Sequence, residues 1–151
     1  MFPALLMVLM AHADPQGDAP PAGVDEMHRA LSARDGSPPC DEVEALSDTP
    51  AEALLYIAEH AQQPPWAGVR AAECLVSRHA EAIQPQLEQW VQDPSTRGFA
   101  LVVFNAFDSI PDSVAIPVAQ AALAGDLSED ARVRLEGVQN PSIKLLLEES
   151  P

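Results

Sequence analysis

Cys40 and Cys74 are the only thiols in a chain of 151 residues, and the chemistry open to them depends on the compartment the chain reaches. An even pair of cysteines becomes a disulfide where oxidation is allowed and stays as buried thiols where it is not. The disulfide is the expectation here, because residues 1–13 read as an export signal: a short apolar core is followed by Ala11-His12-Ala13, the small-x-small form at which such leaders are cleaved. No Lys or Arg precedes Leu5, which departs from the usual basic start of a leader. The apolar stretch is too short to span a bilayer and has no cysteine at the cleavage point for a lipid, so no stable membrane anchor is expected. A bond from Cys40 to Cys74 closes a loop of about 35 residues, which in the chain-entropy account stabilises the fold by about 4 kcal/mol.

A nucleophilic role for Cys74 would need a base, and His79 follows it by five positions on one expected helix. Five residues turn about 500° around a helix, so the two side chains do not face one another. The histidines, His12, His28, His60 and His79, share no metal-ligand spacing, and no zinc or other metal site is expected. Asp108 with Asp112, and the run Asp126-Leu127-Ser128-Glu129-Asp130, invite a calcium reading, but neither alternates oxygen ligands toward a closing glutamate. Helix capping suits them better. The sequence has no glycine-rich phosphate loop, serine elbow or dinucleotide fingerprint, so neither a catalytic residue nor a cofactor is assigned. Trp66, Trp90 and Tyr56 carry polar tips on large rings. They read first as partly buried anchors, and Trp66 and Trp90 are the candidates for an interface.

Charge narrows the partners. Twenty-three Asp and Glu stand against eight Lys and Arg, a net charge of -15, so the surface repels nucleic-acid phosphate and anionic lipid. Nucleic acid is not an expected partner; a basic protein is. Aromatic residues make up only 5% of a chain rich in Ala, Leu and Glu, which favours helices over a sandwich or barrel.

The elements that would position these residues are helices. Residues 14–39 read as a flexible arm with one short helix over 24–33, carrying Met27 and Leu31 and broken by Gly36-Ser37-Pro38-Pro39. A helical domain is expected over 40–151, beginning with a turn or two at 40–46 whose acidic start suits a helix dipole. Thr49 is placed as the cap of the next helix, with Leu54, Leu55, Ile57, Ala58 and Ala61 as its apolar stripe. Further helices follow over 66–79, 82–92, 94–109, 112–124 and 128–138, with a last amphipathic piece over 142–149. Arg78 and His79 read as a solvated helix end. The most apolar internal stretch, 96–110, is read as a helix buried on most faces, with Phe107 at its centre; its core, 99–104, could by periodicity alone be a strand. Asp93-Pro94-Ser95 before it supplies a cap and a proline for the first helical position.

The six helices from Thr49 onward fall into three pairs, and the second member of each has an arginine near its start: Arg70, Arg97 and Arg132. Repetition near every 30 residues with two helices per unit is the pattern of a helical solenoid. With Pro117, Asp126 and Ala131-Arg132 in the third unit, Pro85, Asp93 and Arg97 in the second, and Val69-Arg70 in the first, the chain resembles the HEAT-repeat family, in particular its short bacterial HEAT-like members. The first unit has neither the bending proline nor the turn aspartate. The resemblance implies an all-α fold, a short right-handed α-solenoid of antiparallel helix pairs with about three units. It also implies that Arg70, Arg97, Asp126 and Arg132 brace neighbouring units. The function it suggests is an exported, non-catalytic protein-binding or scaffolding module. Some HEAT-like proteins belong with chromophore lyases and their accessory factors, an alternative for which this sequence supplies no residues. A calcium-dependent surface protein is the remaining alternative.

Overall fold

The computed structural model describes residues 19–150, so the expected export signal and residues 14–18 of the arm lie outside the described part. Among the described residues the chain is all-helical and contains no strand. In order it forms α1 (Val24–Leu31), α2 (Cys40–Glu44), α3 (Pro50–His60), α4 (Pro65–His79), α5 (Gln84–Gln92), a 3-10 turn (Pro94–Thr96), α6 (Arg97–Ala106), α7 (Asp112–Ala124), α8 (Ser128–Glu136) and α9 (Pro141–Glu149). Prolines occupy the first or second position of α3, α4, α5, the 3-10 turn and α9. There the missing N–H removes a donor that would have had no partner in the helix, so these five prolines start helices rather than break them, while Pro117 lies inside α7.

Helix α3 packs on α4, α5 on α6, and α7 on α8, and these pairs are joined by α4 against α6 and α5 against α7. The last helix, α9, closes on α7 and α8. One continuous core runs through them, with Leu54, Ile57, Leu75, Leu87, Trp90, Phe107, Leu135 and Ile143 fully buried, and no polar or charged residue is buried among the described residues. Two close approaches explain small residues in the sequence. A methyl group on Gly125 would lie 2.9 Å from the Cα of Gln92, and one on Gly68 would lie 3.3 Å from the carbonyl oxygen of Ala58. Only a bare Cα lets the end of α7 meet the end of α5 this closely.

Several expectations need correction. The short helix of the arm belongs to the body: α1 packs on α3 and α4, and Met27 and Leu31 are fully buried in the shared core. Packing therefore shows no boundary at residue 40. Residues 99–104 are helical rather than extended, but the helix there is shorter than 94–109, with a 3-10 turn before it and a turn after Ala106. Its burial is one-sided, with Ala100, Val103 and Phe104 inside and Phe99, Leu101 and Val102 only half-buried, because α4 and α5 cover it and Arg97, Gly98 and Asn105 face solvent. Thr49 makes no capping bond through its side chain; the hydroxyl of Ser47 instead accepts from the Thr49 N–H at 3.1 Å.

Candidate functional site

The thiols do one job. Cys40, the first residue of α2, is joined to Cys74 of α4, with their Cα atoms 5.5 Å apart. Glu44 lies four residues after Cys40, and Arg78 lies four after Cys74. The carboxylate of Glu44 takes the Arg78 Nε–H at 2.8 Å on one oxygen and sits 2.8 Å from His79 Nε2 on the other. Equal offsets on both helices mean that α2 runs alongside the end of α4 in the same direction, with a covalent link at one turn and an ionic link at the next. Arg78 is paired with Glu44 while its side chain stays 46% exposed, so this helix end is solvated as read and also tethered, and Cys74 holds no thiol that His79 could activate.

All three patterned arginines are engaged, Arg70 and Arg132 on backbone carbonyls outside the three helix pairs, and Arg97 on an aspartate of the next pair. Arg70 donates through Nη1 to the carbonyls of Leu31, at 2.7 Å, and Ala33, at 2.6 Å. Trp66, one turn earlier on α4, donates from its indole N–H to the carbonyl of Ser32 at 3.4 Å. Carbonyls at a helix C-terminus have no intrahelical partner and carry partial negative charge, so a guanidinium and an indole cap the end of α1 from outside. Arg132 does the same at the other end of the chain, donating to the Ser150 carbonyl at 2.6 Å, just past α9. Arg97 instead reaches from α6 to Asp130 of α8 at 3.6 Å, where Arg134 also binds at 3.1 Å. Trp90 is no interface residue: it is 1% exposed and packs its ring 4.8 Å from that of Phe99.

The acidic groups are bracing groups too. Asp93 heads the 3-10 turn by accepting from the Ser95 N–H at 2.8 Å, and its bonds to Ser95 hold its carboxyl below the usual carboxylate range. Asp108, just after α6, accepts from the backbone N–H groups of Gln139 at 2.8 Å and Asn140 at 2.9 Å. Asp112, in the first turn of α7, accepts from the Ser142 hydroxyl at 2.6 Å and the Asn140 amide at 2.8 Å. The Ser142 bond first, and the Asn140 bond second, stabilise its carboxylate form and hold its pKa below the ordinary value. The two aspartates thus latch the corner between α6 and α7 onto the corner between α8 and α9. Asp126, expected as a brace, is exposed and makes no hydrogen bond or ion pair among the described residues. The bracing role falls to Asp130, Asp108 and Asp112. No group of three or more His, Cys, Asp or Glu among the described residues is arranged to hold a metal ion.

The outer face of α3 carries an open cleft. Glu52, Leu55, Tyr56, Glu59 and His60 share that face and, with Ala19 and Pro21, line the cleft, which has a volume of about 670 Å³. The Tyr56 and His60 rings stack at 4.2 Å, and His60 Nδ1 lies 2.9 Å from the Tyr56 carbonyl. An adjoining recess of about 320 Å³ shares both rings and adds Val24, Asp25 and His28. The buried Nε2 of His28 has no hydrogen-bond partner among the described residues. Sequence reasoning did not single out this face: Leu55, placed in the inward stripe, is half-buried, packs against the core and also lines the cleft, while Ala53, Leu54, Ile57 and Ala58 fill the core. The 52, 55, 56, 59 spacing was the available signal, since it marks the helix side opposite those four. Among the described residues no helix is long and apolar enough to cross a membrane. Comparison of the chain with models of protein families, with curated proteins and with solved structures finds no match.

Proposed function

We propose that the chain is an exported, non-catalytic binding or scaffolding module of HEAT-like type, and that its partner is a basic protein. One observation carries this reading. Arg70, Arg78, Arg97, Arg132 and Arg134 are all engaged within the molecule, on carbonyls or on Glu44 and Asp130. Few cations are left to offset the exposed carboxylates, so the net charge of -15 is expressed outward, where it attracts and orients cationic surfaces. The packing of α4 on α6 and of α5 on α7, beside the pairing of α5 with α6 and α7 with α8, supports stacked helix pairs of the HEAT kind. The Cys40–Cys74 bond supports export, because such bonds persist in oxidising compartments.

Affinity capture from the exported fraction over a series of salt concentrations tests the proposal. A basic protein retained at low salt and released as salt rises is the expected result. Enrichment of no basic protein at any salt would count against it, and turnover or a bound chromophore in the purified protein would overturn the non-catalytic part.

A further inference from the structure

We infer that the cleft on the outer face of α3 is a docking groove for an extended basic segment, with arginine or lysine side chains three residues apart. The inference deepens the proposed function and rests on it. Glu52 and Glu59 are two helical turns apart on one face of α3, a rise of about 10.5 Å. A segment in the polyproline II conformation completes one turn in three residues and rises about 9.3 Å in doing so, so two basic side chains at that interval share one face and reach one carboxylate each. Leu55 and Tyr56 lie between the two carboxylates along the helix, the Tyr56 ring stacks on that of His60, and Pro21 lines the same cleft. Such a floor accepts the alkyl stems of arginine or lysine, and the tyrosine face attracts the cationic heads. Asp25 extends the negative charge into the adjoining recess, and no lysine or arginine lines either cavity. Nucleic acid and anionic lipid do not fit the same cleft, whose charged groups all repel them.

Fluorescence anisotropy with a labelled six-residue peptide, Gly-Arg-Ala-Ala-Arg-Gly, tests the inference on the full chain. The wild type is expected to bind it in a salt-dependent manner. The double variant E52Q/E59Q is expected to weaken binding by about tenfold or more, the equivalent of about 1.4 kcal/mol. Tyr56→Ala is expected to weaken binding as well, whereas Tyr56→Phe keeps the ring and the affinity. A second double variant, E148Q/E149Q, removes the same charge from the far end of the chain and is expected to leave binding nearly unchanged. Equal losses from the two double variants would mean diffuse charge attraction; that result overturns the groove and leaves the proposed function standing. No binding by the wild type or by E148Q/E149Q, with helical content intact by circular dichroism, overturns the groove, whereas the proposed function falls only if affinity capture also enriches no basic protein.

Discussion

Replacing Cys40 and Cys74 together by alanine isolates the contribution of the covalent link. The bond spans a sequence separation of 34, and the loop-closure expression gives about 4 kcal/mol at 25 °C. Alanine suits the test better than serine. Cys74 is 2% exposed inside α4, so a hydroxyl there would add a desolvation cost unrelated to the cross-link, whereas alanine is the best helix former. The loss of two sulfur atoms from packing adds a smaller amount, which the reduced wild type controls for, since it has free thiols but the same volume. Urea titration followed by circular dichroism, on the oxidised wild type, the reduced wild type and C40A/C74A, is the assay. The expected outcome is a loss of about 3 to 5 kcal/mol for both link-free forms, with a steeper denaturant dependence, because an uncrosslinked chain exposes more surface on unfolding. A loss below about 1 kcal/mol in the reduced wild type would refute the reasoning. It would mean that the Glu44 clamp and the burial of Val43 hold α2 in place without the bond.

Phe107→Ala is expected to cost about 3 to 5 kcal/mol in the same titration, since the ring is fully buried where α6 turns toward α7; a loss below about 1 kcal/mol would mean it is not central to the core. Gly125→Ala should lower the melting temperature, with a cost of about 1 to 3 kcal/mol, because the new methyl meets the backbone of Gln92 rather than a movable side chain. Arg70→Met should raise amide exchange in α1 and cost about 1.5 to 3 kcal/mol, as two carbonyls lose a charged donor; unchanged exchange in α1 would show that Met27 and Leu31 alone hold it. The carboxyl of Asp112 is held below its ordinary value of 3.8, so the stability it contributes is present above that pH and is lost as the pH falls through its lower folded value. D112N should accordingly flatten the fall in stability below about pH 4, measured by urea midpoints across acidic buffers.

The helices were legible because their signals are local. Prolines at first turns and the Asp93-Pro94-Ser95 start were each readable within one segment. The cysteine pair was readable because two cysteines allow one pairing. Partners were not legible. Arg70, Arg97 and Arg132 occupy similar places in the sequence, yet one holds the end of α1, one an aspartate of α8 and one the end of α9. Nothing within ten residues of each arginine specifies that choice, which depends on which helix end arrives nearby. Asp108 and Asp126 show the same limit. Both are turn aspartates, but only Asp108 faces backbone N–H groups, those of a corner more than thirty residues later. The cleft on α3 was obscured by Leu55, an apolar residue that both packs against the core and lines the cleft.

The links of α1 and α2 to the body have a property that concerns time rather than energy. The partners of Cys40, Glu44, Leu31, Ser32 and Ala33 are Cys74, Arg78, His79, Trp66 and Arg70, none of them later than His79. A chain that emerges N-terminus first therefore contains every group needed to staple its opening third before α5 has appeared. Arg97 must wait for Asp130, and Asp108 for Gln139 and Asn140. The early part of the molecule is sealed by an oxidation that any later segment can neither supply nor disturb, and the late part is closed by hydrogen bonds that form only when the last corner arrives.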